Sequence, residues 1–130
     1  MNKRILVTAV IFGVISIVLG AFAAHALKKE LSPESLQSFN IGVKYQMYHA
    51  LFLLFLGCFN GVSNVFKKNI YYFTVTGVVC FSFSIYLLST TAITGINFAA
   101  IGFITPIGGL LLITAWSLLL LGLLKNKSIK

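Results

Sequence analysis

Ile5 to Leu27 reads ILVTAVIFGVISIVLGAFAAHAL, 23 residues without a Lys, Arg, Asp or Glu. Spanning a hydrocarbon core of roughly 30 Å takes about 20 mostly apolar residues wound as a helix, because only a helix satisfies its own backbone polar groups in lipid. This stretch is long enough to cross. Lys3 and Arg4 before it, and Ala21, Phe22, Ala23 near its end, imitate a cleavable signal peptide. Signal cores are about 7 to 15 residues, however, so the length predicts a retained span.

Reading outward, Tyr45 to Phe66 and Asn69 to Leu124 are also free of charged side chains. The second of these holds two spans separated by the uncharged connection Ser89 to Asn97. Residues 1–130 are therefore read as one integral membrane domain with spans at about 5–27, 42–59, 70–88 and 98–124. The fold class is all-α, four transmembrane helices in an antiparallel bundle. Composition agrees, since only 9% of residues are charged, against about 25% in soluble domains.

The connections carry their own signals. Ser32 can cap a helix, Pro33 suits its first turn, and Glu34 complements the positive end of its dipole. Leu36, Phe39 and Val43 fall on one side of the segment that follows, which predicts an interfacial amphipathic extension running into the second span. Asn60, Gly61, Ser63 and Asn64 supply turn chemistry before the third span. In the fourth, Pro106 with Gly108 and Gly109 predicts a kink, one that lets a neighbouring helix approach at the glycines. Small residues at Ala9, Gly13, Ser16, Gly20 and Ala24 share one face of the first span and predict a packing seam. Cys58 and Cys80 are read as buried apolar fillers at different depths, not as a disulfide.

A net charge of +8 raises nucleic acid as a partner, but the basic residues flank apolar runs instead of forming a surface stripe, so that class is set aside. They read better as contacts with anionic lipid headgroups and as topology signals. Lys3, Arg4, Lys67, Lys68, Lys125, Lys127 and Lys130 fall on one side of four spans, and Lys28, Lys29 and Lys44 on the other. The excess predicts both termini in the cytoplasm.

At about 1.5 Å per residue from the outer boundaries, His25, His49, Ser84, Tyr86 and Thr105 all fall in the outer half. Tyr45, Gln46 and His49 share a helical face and can point together into the bundle. Three readings of this polar cluster stay open. The residues form interhelical hydrogen bonds that fix register; or they line an outward-facing pocket around His25 and His49 for a headgroup, ion or small solute; or the two histidines ligate a haem. Enzyme chemistry is harder to build. The only carboxylates, Glu30 and Glu34, lie in the outer connection, leaving no acid and base paired inside a dry site. No Cys and His spacing matches a metal site.

Four motifs, Gly20 to Leu27 (GAFAAHAL), Tyr45 to Leu54 (YQMYHALFLL), Phe81 to Tyr86 (FSFSIY) and Thr105 to Trp116 (TPIGGLLLITAW), resemble the small bacterial membrane proteins of uncharacterised protein family 0382, domain of unknown function 423. Where that family often has glycine, this chain has Ala23, Phe83 and Ala115. The resemblance implies a four-span plasma-membrane protein whose activity is unassigned. No catalytic or ligand role travels with it. The combined expectation is a non-enzymatic protein without cofactor that supports membrane integrity or binds lipid, a partner membrane protein or a second copy of itself. A small transporter or channel-like component is the alternative.

Overall fold

The computed structural model describes Met1–Lys130 and consists of helices joined by short connections, with no strand. Four helices are long and apolar enough to cross a membrane. We label them α1 (Asn2–Glu30), α2 (Pro33–Cys58), α3 (Asn64–Ser89) and α4 (Ile104–Lys125). Leu31 and Ser32 join α1 to α2, and Phe59 to Ser63 join α2 to α3. Connections this short can only turn the chain back on itself, which makes successive helices antiparallel neighbours. α1 packs chiefly on α2 and α3 chiefly on α4, and contacts between α2 and α3 unite the two hairpins.

The main core runs between all four helices and includes Ile5, Phe12, Leu53, Leu56, Ile70, Val78 and Leu112. A smaller cluster of Ala23, Leu27, Leu31 and Phe39 closes the end where α1 passes into α2. Phe39 belongs to the amphipathic segment expected before the second span, and that segment begins as read from the sequence. Ser32 Oγ accepts a hydrogen bond from the Ser35 amide at 3.2 Å, and Pro33 takes the first helical position. The outward faces are as apolar as the core. Val10, Val14, Ile17 and Val18 of α1 and Leu110, Ile113 and Leu120 of α4 are more than half exposed, as suits a hydrocarbon solvent that attracts apolar side chains as well as the interior does.

Two local irregularities adjust the expectations. α1 contains a π-turn at Ala23–Leu27 and α3 another at Val79–Phe83. A π-turn inserts a residue into the helical repeat and rotates everything beyond it. The small-residue seam therefore holds at Ala9, Gly13, Ser16 and Gly20, where a side chain on Gly13 would meet Ala50 and one on Gly20 would meet Val43. It fails at Ala24, which is exposed while Ala23 is buried in its place. The irregularity read around Pro106 lies at the beginning of the fourth span. Pro106 is the third residue of α4, where an amide would have no intrahelical partner, so the ring starts the helix and does not bend it. The break itself falls upstream. A helical turn at Thr91–Thr94 is closed by Gly95 with φ of 69°, and a 3-10 turn at Ala99–Ile101 precedes α4. Both cysteines are free, but Cys58 is exposed at the end of α2 and so is not a buried filler.

Candidate functional site

Gln46 lies at the centre of the polar residues. It sits on the buried face of α2 with no accessible surface, and its amide reaches two other helices. Nε2 donates to the Phe12 carbonyl of α1 at 3.0 Å, and Oε1 accepts from the Tyr86 hydroxyl of α3 at 2.7 Å. One helical turn away, His49 Nδ1 is 2.7 Å from the Tyr45 carbonyl, and Trp116 Nε1 of α4 donates to His49 Nε2 at 3.2 Å. The indole N–H can only donate, so Nε2 accepts and the ring proton resides on Nδ1, directed at that carbonyl. Both nitrogens of a neutral imidazole are thereby used.

Ser84 and Thr105 join α3 to α4 through hydroxyls 2.6 Å apart, while Ser84 Oγ also bonds the Phe81 carbonyl at 2.9 Å. Ser82 Oγ donates to the Gly42 carbonyl of α2 at 2.7 Å. Phe81, whose carbonyl accepts from Ser84, and Ser82, whose hydroxyl donates to Gly42, both lie in the π-turn of α3. Among buried side-chain polar atoms, only Ser16 Oγ lacks a partner. Its usual acceptor, the carbonyl four residues earlier, is Phe12 O, which Gln46 occupies.

The sequence-derived cluster is thus brought together in part. Gln46, His49, Ser84, Tyr86 and Thr105 face into the bundle and bond across it. Tyr45 is 42% exposed and contributes a ring packed 5.0 Å from that of Phe81, with its carbonyl as acceptor for His49. His25 does not join. It lies in the π-turn of α1 on the exposed side, while His49 is buried, so the two histidines do not share the facing arrangement that the haem reading needed. Trp116 and Ser82 were absent from the sequence-derived cluster. Trp116 had a signal in its motif, whereas Ser82 acquires its role only through the π-turn.

Surface clefts at both ends of the bundle bear polar side chains. At the end holding Glu30 and Glu34, an open cleft of about 450 Å³ is lined by Glu34, Ser35, Ser38, Ser89 and Thr105. At the opposite end, clefts of about 500 and 600 Å³ meet at Met1 and Lys3 and carry Asn64, Lys68, Arg4 and Thr8 on their walls. The first cleft has one carboxylate and four hydroxyls, of which Ser89 Oγ donates to the Ile85 carbonyl at 2.7 Å and Thr105 Oγ1 is paired with Ser84. Its one carboxylate, Glu34, makes no hydrogen bond to any of these hydroxyls, so no nucleophile and base are paired there. No group of three or more His, Cys, Asp or Glu is placed to hold a metal ion.

Comparison with known proteins returns membrane proteins throughout. A family described as "Protein of unknown function (DUF423)" matches residues 19–109. The UPF0382 membrane protein SSP2132 of Staphylococcus saprophyticus is 40% identical over 106 residues, 82% of this chain and 84% of that one. A UPF0382 membrane protein of Haemophilus influenzae is 33% identical over 129 residues, 99% of this chain and 100% of its own. The UPF0382 inner membrane protein YgdD of Escherichia coli is 33% identical over 133 residues, 97% of this chain and 93% of its own. No solved structure matches the chain.

Proposed function

Because this chain belongs to the DUF423 family of bacterial membrane proteins, we propose that it is a non-enzymatic, multi-pass protein of the plasma membrane that acts by its presence in the bilayer. Its work is to bind lipid or another membrane protein, with both termini in the cytoplasm. One observation supports this above the others: apart from Ser16, the buried polar side chains of the bundle are hydrogen-bonded within the protein. Gln46, His49, Ser82, Ser84 and Tyr86 each bond a neighbouring helix. Interhelical bonds of this kind contribute about 0.6 to 1.7 kcal/mol each in lipid, a scale suited to setting register. A transport pathway would instead present polar groups to water or solute.

The test separates glue from site. Purified protein in proteoliposomes is expected to pass monovalent ions and small solutes no faster than empty vesicles. His49→Ala is expected to lower the Tm in detergent, and His25→Ala to leave it unchanged. Flux above the empty-vesicle control would overturn the reading. So would a His49→Ala protein that keeps its Tm but loses a cellular phenotype.

A further inference from the structure

The end of the bundle that carries the N-terminus has cations without anions. Lys3, Arg4, Lys67, Lys68 and Lys125 lie there, and the only two acidic side chains, Glu30 and Glu34, lie at the far end of α1 and the start of α2. A helix of that length places them roughly 40 Å away. Screening in salt reaches only about 8 to 10 Å, so no acidic side chain answers the charge at this end.

Part of it is organised. Lys67 is 1% exposed and its Nζ donates to Asn2 Oδ1 at 3.1 Å and to Asn60 Oδ1 at 3.4 Å. That pins the start of α1 to the start of α3. Thr8 Oγ1 and the Tyr71 hydroxyl, 2.8 Å apart, repeat the link one turn deeper. Between these links Arg4 Nη1 donates to the Tyr72 hydroxyl at 3.3 Å, which draws the guanidinium toward α3. The clefts described above open here, with Lys3 and Lys68 on the aqueous side and Val7 below. Val7, Ile11, Val14 and Val18 follow Arg4 at steps of three, four, three and four, one helical face, and each is at least half exposed.

The geometry points to a binding site for one anionic phospholipid at the α1–α3 cleft. The phosphate lies against Arg4, Lys3 and Lys68, and an acyl chain runs along the Val7 to Val18 face. A planar guanidinium offers a phosphate paired donors that an ammonium cannot, and the apolar track continues from it into the hydrocarbon. A soluble anion would use the cations and leave the track idle. The assignment holds whichever leaflet this end occupies.

Native mass spectrometry of the full-length protein, released from vesicles of phosphatidylglycerol and phosphatidylcholine at a ratio of one to three, tests it. The protein is expected to retain phosphatidylglycerol in preference to phosphatidylcholine. Arg4→Gln and Lys68→Gln should each reduce that retention about fivefold. Lys127→Gln with Lys130→Gln, a larger loss of charge outside the cleft, should not. Circular dichroism and Tm establish that each variant is folded, and Lys68, an exposed side chain, gives a second reading should Arg4→Gln fold poorly. Equal losses from the cleft and tail variants would overturn the site in favour of general charge attraction. Displacement of the lipid by inorganic phosphate, beyond a chloride control of equal ionic strength, would overturn it in favour of an anion site without a lipid track.

Discussion

Gln46 has no accessible surface, yet its amide is used at both ends, on Phe12 of α1 and Tyr86 of α3. In lipid an amide that loses one partner finds no water to replace it. Leaving a buried polar group unpaired costs about 1 to 3 kcal/mol, whereas removing both partners together can be nearly neutral. Tyr86→Phe should therefore lower unfolding stability by about 1 to 2 kcal/mol, and Gln46→Leu by a similar amount. The double variant should lose less than the sum, with a coupling of about 0.6 to 1.7 kcal/mol. Equilibrium unfolding in mixed micelles measures all three. Strict additivity would mean that the bond between them contributes nothing. The helical spacing of Tyr45, Gln46 and His49 announced a shared inward face, and two of the three are inward. Which carbonyl or ring each would meet was not legible, because partners on other helices depend on rotations that no local spacing records.

Those rotations are set at the scale of the element. The π-turn Val79–Phe83 of α3 lies against the start of α4, and the contact is made backbone to backbone at one residue. A Cβ on Gly108 would overlap the Phe81 amide nitrogen and fall 2.7 Å from the Cys80 carbonyl carbon. Backbone cannot move aside as a side chain can, so α3 and α4 would have to separate. On Gly109 the nearest atom to an added Cβ is Phe81 Cδ2 at 3.9 Å, ordinary contact. Gly108→Ala is accordingly expected to destabilise the protein by about 1 to 3 kcal/mol, and Gly109→Ala to stay within about 0.5 kcal/mol. Thermal unfolding of the pair in one detergent decides it, and equal effects would contradict the close approach. The sequence reading expected a close approach at both glycines, which Gly108 makes and Gly109 does not, and it assigned the bend to Pro106. A proline three residues into a helix and one in its middle look alike until the helix start is known, and the start of α4 follows a connection without charge or cap. The π-turns left no signature at all, and with them went the placement of His25 and Ala24.

At the scale of the molecule, hydropathy alone carried four spans and an antiparallel order, because short connections between long apolar helices leave no other arrangement. Orientation rests on a different force, the retention of Lys and Arg on the cytoplasmic side during insertion. Seven basic residues, Lys3, Arg4, Lys67, Lys68, Lys125, Lys127 and Lys130, fall on one side in the sequence reading, against Lys28, Lys29 and Lys44 on the other. Lys67 is held there by Asn2 and Asn60. In a bacterial host, a fluorescent protein fused after Lys130 should fluoresce, and alkaline phosphatase fused there should be inactive. The same phosphatase inserted at Gly95, in the connection on the opposite side, should be active. Replacing Lys3, Arg4, Lys125 and Lys127 with Gln leaves three basic residues on each side. Insertion in both orientations should follow, seen as partial activity of both C-terminal reporters. Phosphatase activity at the C-terminus of the unaltered chain would reverse the orientation and move the basic cleft to the outer leaflet. An unchanged reporter pattern in the balanced variant would show instead that something other than the Lys and Arg excess, the polarity of the Ser89 to Asn97 connection being the nearest candidate, directs the chain into the membrane.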